Sequence, residues 1–259
     1  MNFLKRNLDI LIILFICVLI ILINFNFSKL VIGLDNASPY FNIFDVLARI
    51  KGTSAIIYGG ILFQAPFIYP LRLIEISPEI VSNLYLSTNL ILGSLGITLL
   101  SRRVTKNKIA STFASVVLIT NLFTFWIFSN PNFLFLASFG STPLLIYFLS
   151  KEKLSKKDLL AIIFLSLIFL TTTLNIVAFL IYISQIILLA LIFSKKSNQI
   201  KRVLIWSGAL LLTWLGAIQI ILILNGDTSL FVINIFNYVS DLLKNPYMND
   251  VTRDILASE

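Results

Sequence analysis

Long apolar blocks separated by short charged or turn-forming segments set the pattern of this chain. Runs lie at Leu8 to about Phe27, Val81 to Leu100, Ile109 to Phe128, Phe133 to Leu149, Leu159 to Leu170, Ile176 to Phe193 and Val203 to Leu224; all but the short Leu159 to Leu170 approach or reach the roughly 20 residues that a helix needs to cross a bilayer. Seven spans are predicted, and the fold class is all-α: a polytopic transmembrane helical bundle. The first run follows Lys5 and Arg6 but continues into Asn24-Phe25-Asn26-Phe27, which offers no small-residue cleavage site, so it reads as an uncleaved anchor.

The charges between the runs fix the order of the passes. Lys5/Arg6, Arg102/Arg103/Lys106/Lys108, Lys151/Lys153/Lys156/Lys157 and Lys195/Lys196/Lys201/Arg202 hold 14 of the 20 basic residues. If all four clusters face the cytoplasm, an even number of passes separates each from the next. The stretch between Lys157 and Lys195 is then a hairpin turning near Thr171 to Asn175, and the stretch between Lys108 and Lys151 turns at Ser129-Asn130-Pro131-Asn132, where proline lacks a backbone donor. The amino terminus is expected in the cytoplasm of a multi-pass plasma-membrane protein, with the first long loop extracytoplasmic.

Parity also keeps Ala55 to Ile76 from crossing completely. Gly59, Gly60, Pro66 and Pro70 interrupt it, and Tyr58 and Tyr69 suit a headgroup boundary, so it is expected to be interfacial or re-entrant. The outer loop thus covers 28–80. Within it, Ser38-Pro39 reads as a helix N-cap with proline at the first helical position. Phe41, Phe44, Val46, Leu47 and Ile50 line one side of Pro39 to Lys51, while Asp45 and Arg49 are four apart on the other. This predicts an amphipathic helix on the outer surface, with Asp35 just before its start. Residues 1–224 are read as the transmembrane module and 225–259 as an outer tail. That tail ends on Ala257-Ser258-Glu259 with no closing span, which reads as the start of a region truncated from a longer protein.

Composition narrows the chemistry. The chain is 58% hydrophobic and 12% charged, far from the roughly 25% charged content of a soluble domain. Its net charge of +8 sits in loops between apolar runs, where topology accounts for it, and nucleic-acid binding is not expected. With one cysteine, Cys17, and no histidine, disulfides, zinc sites and histidine proton transfer are excluded as themes, leaving carboxylates for acid–base work. No charged residue lies near the centre of a span, which argues against ion-coupled transport. Nine of the 12 carboxylates, Asp35 and Asp45 among them, fall on the outer side by this topology.

One uncleaved span, a long outer loop with an early aspartate, and a series of hairpins with basic inner loops resemble the GT-C superfamily of membrane glycosyltransferases. Asp35 followed by Pro39 and Val46-Leu47-Ala48-Arg49, then Tyr58-Gly59-Gly60 and Gln64-Ala65-Pro66-Phe67-Ile68-Tyr69-Pro70, is similar to the amino-terminal module of arabinofuranosyltransferase-like members. The resemblance implies transfer of a sugar, with inversion, from a polyprenyl-phosphate donor to a cell-surface glycan or lipid acceptor. In it, Asp35 is the candidate base, and Asn36, Arg49, Lys51 and Arg72 are the candidate substrate-binding residues. Many members carry paired acids in this loop where the chain has Asp35-Asn36. The cofactor is therefore open, a divalent cation held by carboxylates being one candidate, and no metal ligand is assigned.

The residues by themselves also allow plainer roles. Asp35 before Ser38-Pro39 suits a turn or cap, Arg49 suits pairing with Asp45, and Arg72 with Glu75 suits a surface pair. A non-catalytic membrane protein, such as a lipid or glycan flippase component or a scaffold, and an inactive fragment of a larger glycosyltransferase remain as alternative functions.

Overall fold

The computed structural model describes residues 7–29, 67–68, 70–71, 73–129, 133–171, 176–194 and 196–224. Within these residues the chain forms eight helices and no strand: α1 (Leu8–Asn24), α2 (Pro78–Thr105), α3 (Lys108–Thr120), α4 (Leu122–Ser129), α5 (Phe133–Leu149), α6 (Lys156–Leu170), α7 (Ile176–Ile192) and α8 (Ser197–Leu224). Two of them, Pro78–Thr105 and Ser197–Ala217 within α8, are long and apolar enough to cross a membrane. At 1.5 Å per residue the 17-residue α1, α5 and α7 reach about 26 Å, just short of the roughly 30 Å hydrocarbon thickness. The third apolar run is not one helix. Asn121 leaves the helical region (φ −72°, ψ 153°), its Oδ1 accepts from Thr124 N at 2.7 Å, and α4 begins there. An asparagine side chain that caps a new helix outcompetes continuation of the old one.

α2 is the central helix. Ser77 caps it, its Oγ accepting from Ile80 N at 3.4 Å, and Pro78 occupies the first turn. Glycines set its approach to α5. A Cβ at Gly93 would lie 2.7 Å from the Phe139 carbonyl oxygen, one at Gly96 2.8 Å from Leu144 N, and one at Gly140 3.0 Å from Asn89 Cα. Pro143, inside α5, has no N–H to offer the Phe139 carbonyl four residues earlier. The hydrogen that Gly93 carries in place of Cβ points at that oxygen. Such a seam is how helices pack when burial of apolar side chains does not distinguish partner from surroundings.

Hydroxyls join α2 to its other neighbours. Thr98 and Ser115 meet at 2.7 Å between α2 and α3, and the Tyr85 hydroxyl reaches Thr171 at 3.3 Å beyond the end of α6. A cluster of Ile13, Cys17, Leu90 and Ile119 fills the space between α1, α2 and α3. The larger core lies on the far side of α5, where Leu145, Leu149, Ile162, Leu165, Phe169, Phe179, Ile183, Trp206 and Trp214 pack α5 to α6, α7 and α8. The outward faces are apolar as well: Leu22 is 72% exposed, Ile109 81% and Ile205 72%.

One end of the bundle gathers charge. Asp9, 2% exposed, sits 3.5 Å from the Arg102 guanidinium and accepts from Ser111 Oγ at 3.2 Å, joining α1, α2 and α3. The carbonyls at the end of α5 have no intrahelical donors, and distant side chains supply them. Arg103 donates to Ser150 O and to Tyr147 O, Gln199 Nε2 donates to Ser150 O at 2.7 Å, and Arg202 donates to Lys151 O at 2.6 Å. Cations at a helix C-terminus also oppose the negative end of its dipole. α6 then starts with a capping box: Asp158 N donates to Ser155 Oγ, and Asp158 Oδ2 accepts from Ser155 N at 2.9 Å. Lys151 Nζ donates to Asp158 Oδ1 at 2.7 Å. Those bonds from Lys151 and Ser155 hold the Asp158 carboxyl at a pKa of about 2.

Candidate functional site

The residues expected to carry the chemistry, Asp35, Asn36, Arg49, Lys51 and Arg72, lie outside the described residues, as do the expected surface helix Pro39 to Lys51 and the tail 225–259. Residues on both flanks of the loop are described, and the incoming one lines a cavity at the end of the bundle opposite the charged one.

On the incoming flank, α1 ends at Asn24, whose Nδ2 donates to Ile20 O at 2.9 Å. The chain then turns on Asn26, whose Oδ1 accepts from Ser28 N at 3.1 Å and from Ser28 Oγ at 2.6 Å. Asparagine is suited to this because its short amide mimics a backbone turn. Asn83, in the first turns of α2 and 1% exposed, receives this turn. Its Nδ2 reaches Asn26 O at 3.2 Å, Lys29 O at 3.0 Å and Glu79 O at 2.8 Å.

On the returning flank, Ile68 is buried with Val81, Tyr85, Leu86 and Leu136, and Phe67 meets the Phe164 ring edge-on at 5.4 Å. Ile76 N donates to Leu71 O at 3.1 Å across Glu75, whose φ is 61°. A left-handed residue closing such a bond is the usual way a helical turn ends, with glycine the more common occupant. The segment expected to be interfacial or re-entrant thus has its last residues packed against α2, α5 and α6.

Between α1, α2, α3 and α4 the incoming flank leaves a cavity of about 520 Å³. Ile20, Phe25, Leu86, Leu90, Ile119 and Phe128 supply apolar wall, and Asn24, Asn26, Lys29, Asn83 and Thr124 supply polar lining. Phe25 stacks on Phe128 at 6.3 Å, and Phe128 meets Phe139 edge-on at 5.5 Å. Its size falls in the usual range for small-molecule sites, roughly 300–1,000 Å³. Among the described residues Lys29 is its single ionisable lining residue, so these residues can bind an amphiphile with an anionic head but supply no carboxylate to take a proton. A base would have to come from the chain beyond Lys29. Asp35 is six residues further on, at most about 22 Å away by chain length.

No group of three or more metal-binding side chains occurs among the described residues. Sequence reading missed Asn83, because an asparagine near the start of an apolar run gives no sign of which carbonyls it will meet. It also missed Asp9, whose signal was present as a carboxylate in the first turn of an anchor. Comparison of the chain with known protein families, curated proteins and solved structures gives no match.

Proposed function

We propose that this chain is a seven-span plasma-membrane glycosyltransferase module of GT-C type, its basic end in the cytoplasm and its 28–80 loop outside. In this reading it transfers a sugar from a polyprenyl-phosphate donor to a cell-surface glycan or lipid acceptor. The observation that carries the proposal is the cavity of about 520 Å³ between α1 and α4. Its apolar wall suits an isoprenoid chain, Lys29 and the asparagine amides suit a phosphate, and the chain leads from it directly into the segment holding Asp35. The apolar outward faces and the two helices long enough to cross a membrane support the bilayer setting.

The chemistry asks little of the protein at the leaving group. The acceptor hydroxyl oxygen attacks the anomeric carbon from the face opposite the phosphate, the bond from that carbon to the phosphate oxygen breaks, and the configuration inverts. Polyprenyl phosphate departs as a stable anion without protonation, while the hydroxyl proton passes to the Asp35 carboxylate. An ordinary aspartate, with a pKa of about 3.9, is ionised at neutral pH and ready for that role. Arg49, Lys51 and Arg72 are the proposed partners of the phosphate beside Asn36.

The test is transfer from a polyprenyl-phosphate sugar by the purified full chain and by Asp35→Asn. Loss of a general base lowers the rate about 100- to 10,000-fold. Wild-type transfer by Asp35→Asn, with the variant correctly folded, removes Asp35 from the mechanism. Substrate-dependent translocation that persists in Asp35→Asn, with no transfer by either protein, selects the non-catalytic alternative.

A further inference from the structure

The charged end of the bundle holds a second cavity, of about 490 Å³, that sugar transfer at the other end does not use. Among the described residues, Arg102, Arg103, Lys151 and Lys153 line it with a single carboxylate, Glu152; Asn7, Ile10, Leu99 and Tyr147 line it as well. Several of these cations are held in place. Arg102 is fixed by Asp9 at 3.5 Å, Arg103 by the Ser150 and Tyr147 carbonyls, and Lys151 by Asp158 and the faces of Tyr147 and Phe148, at 4.9 and 4.8 Å. Glu152 pairs with Lys196 at 2.9 Å, which draws its charge away from the cations. Lys153 is exposed and belongs to none of the ion pairs among the described residues.

Four cations around one concavity repel each other, and a bound dianion or monoanion removes that cost. Two guanidiniums whose positions are set by other contacts offer the planar donors that match phosphate oxygens. Ile10, Leu99 and the Tyr147 ring give the same cavity an apolar side. A basic pocket between helices, with apolar wall on one side, fits a phosphate that arrives attached to something greasy. We propose that this cavity binds a phosphate mono- or diester of net negative charge, the group that an anionic phospholipid headgroup carries and a zwitterionic one does not. Bound there, it bridges the start of α1, the end of α2 and the turn after α5.

The experiment measures lipid retention by native mass spectrometry on the purified full chain. Phosphatidylglycerol is compared with phosphatidylcholine, and a parallel thermal-shift series uses inorganic phosphate alone. Lys153→Gln is compared with Lys157→Gln, an exposed lysine on α6 outside the cavity lining whose loss changes the net charge equally. Preferential retention of phosphatidylglycerol, weakened about fivefold by Lys153→Gln and unchanged by Lys157→Gln, supports a lipid headgroup site. Stabilisation by inorganic phosphate that Lys153→Gln abolishes supports the same site with a free phosphate as its source. Equal retention of the two lipids with no phosphate effect, or equal losses in the two variants, overturns the proposal. Leu99→Trp, which fills the cavity without altering charge, gives an independent check: retained phosphatidylglycerol preference in that variant places the lipid elsewhere.

Discussion

Asp9 in the first turn of α1 lies 3.5 Å from Arg102 in the last turn of α2. The two residues are 93 positions apart, and the packing of α1 against α2 brings them together. Asp9 is buried, Arg102 partly exposed, and Ser111 of α3 provides the carboxylate with a second donor. Replacing Asp9 with Ala removes this ion pair and the bond from Ser111 and costs about 2 kcal/mol. Chemical denaturation in detergent measures this. A cycle with Arg102→Ala should return a coupling of about 1 kcal/mol, and additive losses would show that the pair contributes nothing.

Glycine substitutions should divide by position. Gly93→Ala and Gly140→Ala force α2 and α5 apart and are expected to cost about 1–3 kcal/mol each. Gly208 and Gly216 have nothing within 4 Å of the added carbon, so Gly208→Ala and Gly216→Ala, within α8, should add about 0.5–1 kcal/mol through helix propensity. Thermal melts of the four variants test the division, and a uniform sign across them contradicts the packing described.

Acid sensitivity has a local component at the turn before α6. The Asp158 pKa is lowered from 3.8 to about 2, so its contribution is fully present above the unfolded value and is lost as pH falls through about 2. Asp158→Asn should therefore be less stable than wild type at pH 7, and the difference should shrink between pH 4 and pH 2. Ser155→Ala removes the other half of the capping box and is expected to cost about 1 kcal/mol across the whole range.

The proposed orientation is testable with thiol labelling, since Cys17 is buried and gives little background. Lys153→Cys should react with a membrane-impermeant maleimide only after cells are opened. Ser38→Cys should react in intact cells. Labelling of both in intact cells contradicts the parity of the basic clusters.

Much of the helical layout was legible because hydropathy changes sharply at its borders. α5 runs from Phe133 to Leu149 as the apolar pattern predicted; α4 ends at Ser129, α6 ends at Leu170 and α7 starts at Ile176, while the predicted turn residues 130–132 and 172–175 lie outside the described residues. The break at Asn121 was not legible, since one capping amide hardly alters the hydropathy of a 20-residue run. Nor was the seam between α2 and α5: Gly93, Gly96 and Gly140 look like any scattered glycines until another helix faces them. The basic clusters were read as topology signals, a reading that concerns their sign alone. It does not account for Arg103 and Arg202 ending on carbonyls of α5 and the turn after it, because that depends on which helix ends become neighbours. Of the candidate site, the outer side and Asp35 came from the sequence, whereas the cavity required four helices to be in place.

Asn83 ties together the two ends of the segment that joins α1 to α2. One nitrogen binds the carbonyl of Lys29, where the chain leaves the bundle, and that of Glu79, just after it returns. The excursion between them therefore starts and finishes at nearly one point on the scaffold. Closing a loop whose ends are already together costs only logarithmically more as it lengthens, about 0.6 kcal/mol per doubling. Insertions or deletions between Lys29 and Phe67 are thus expected to disturb the helices little, whereas Phe67 and Ile68 pack on the bundle and anchor the returning end.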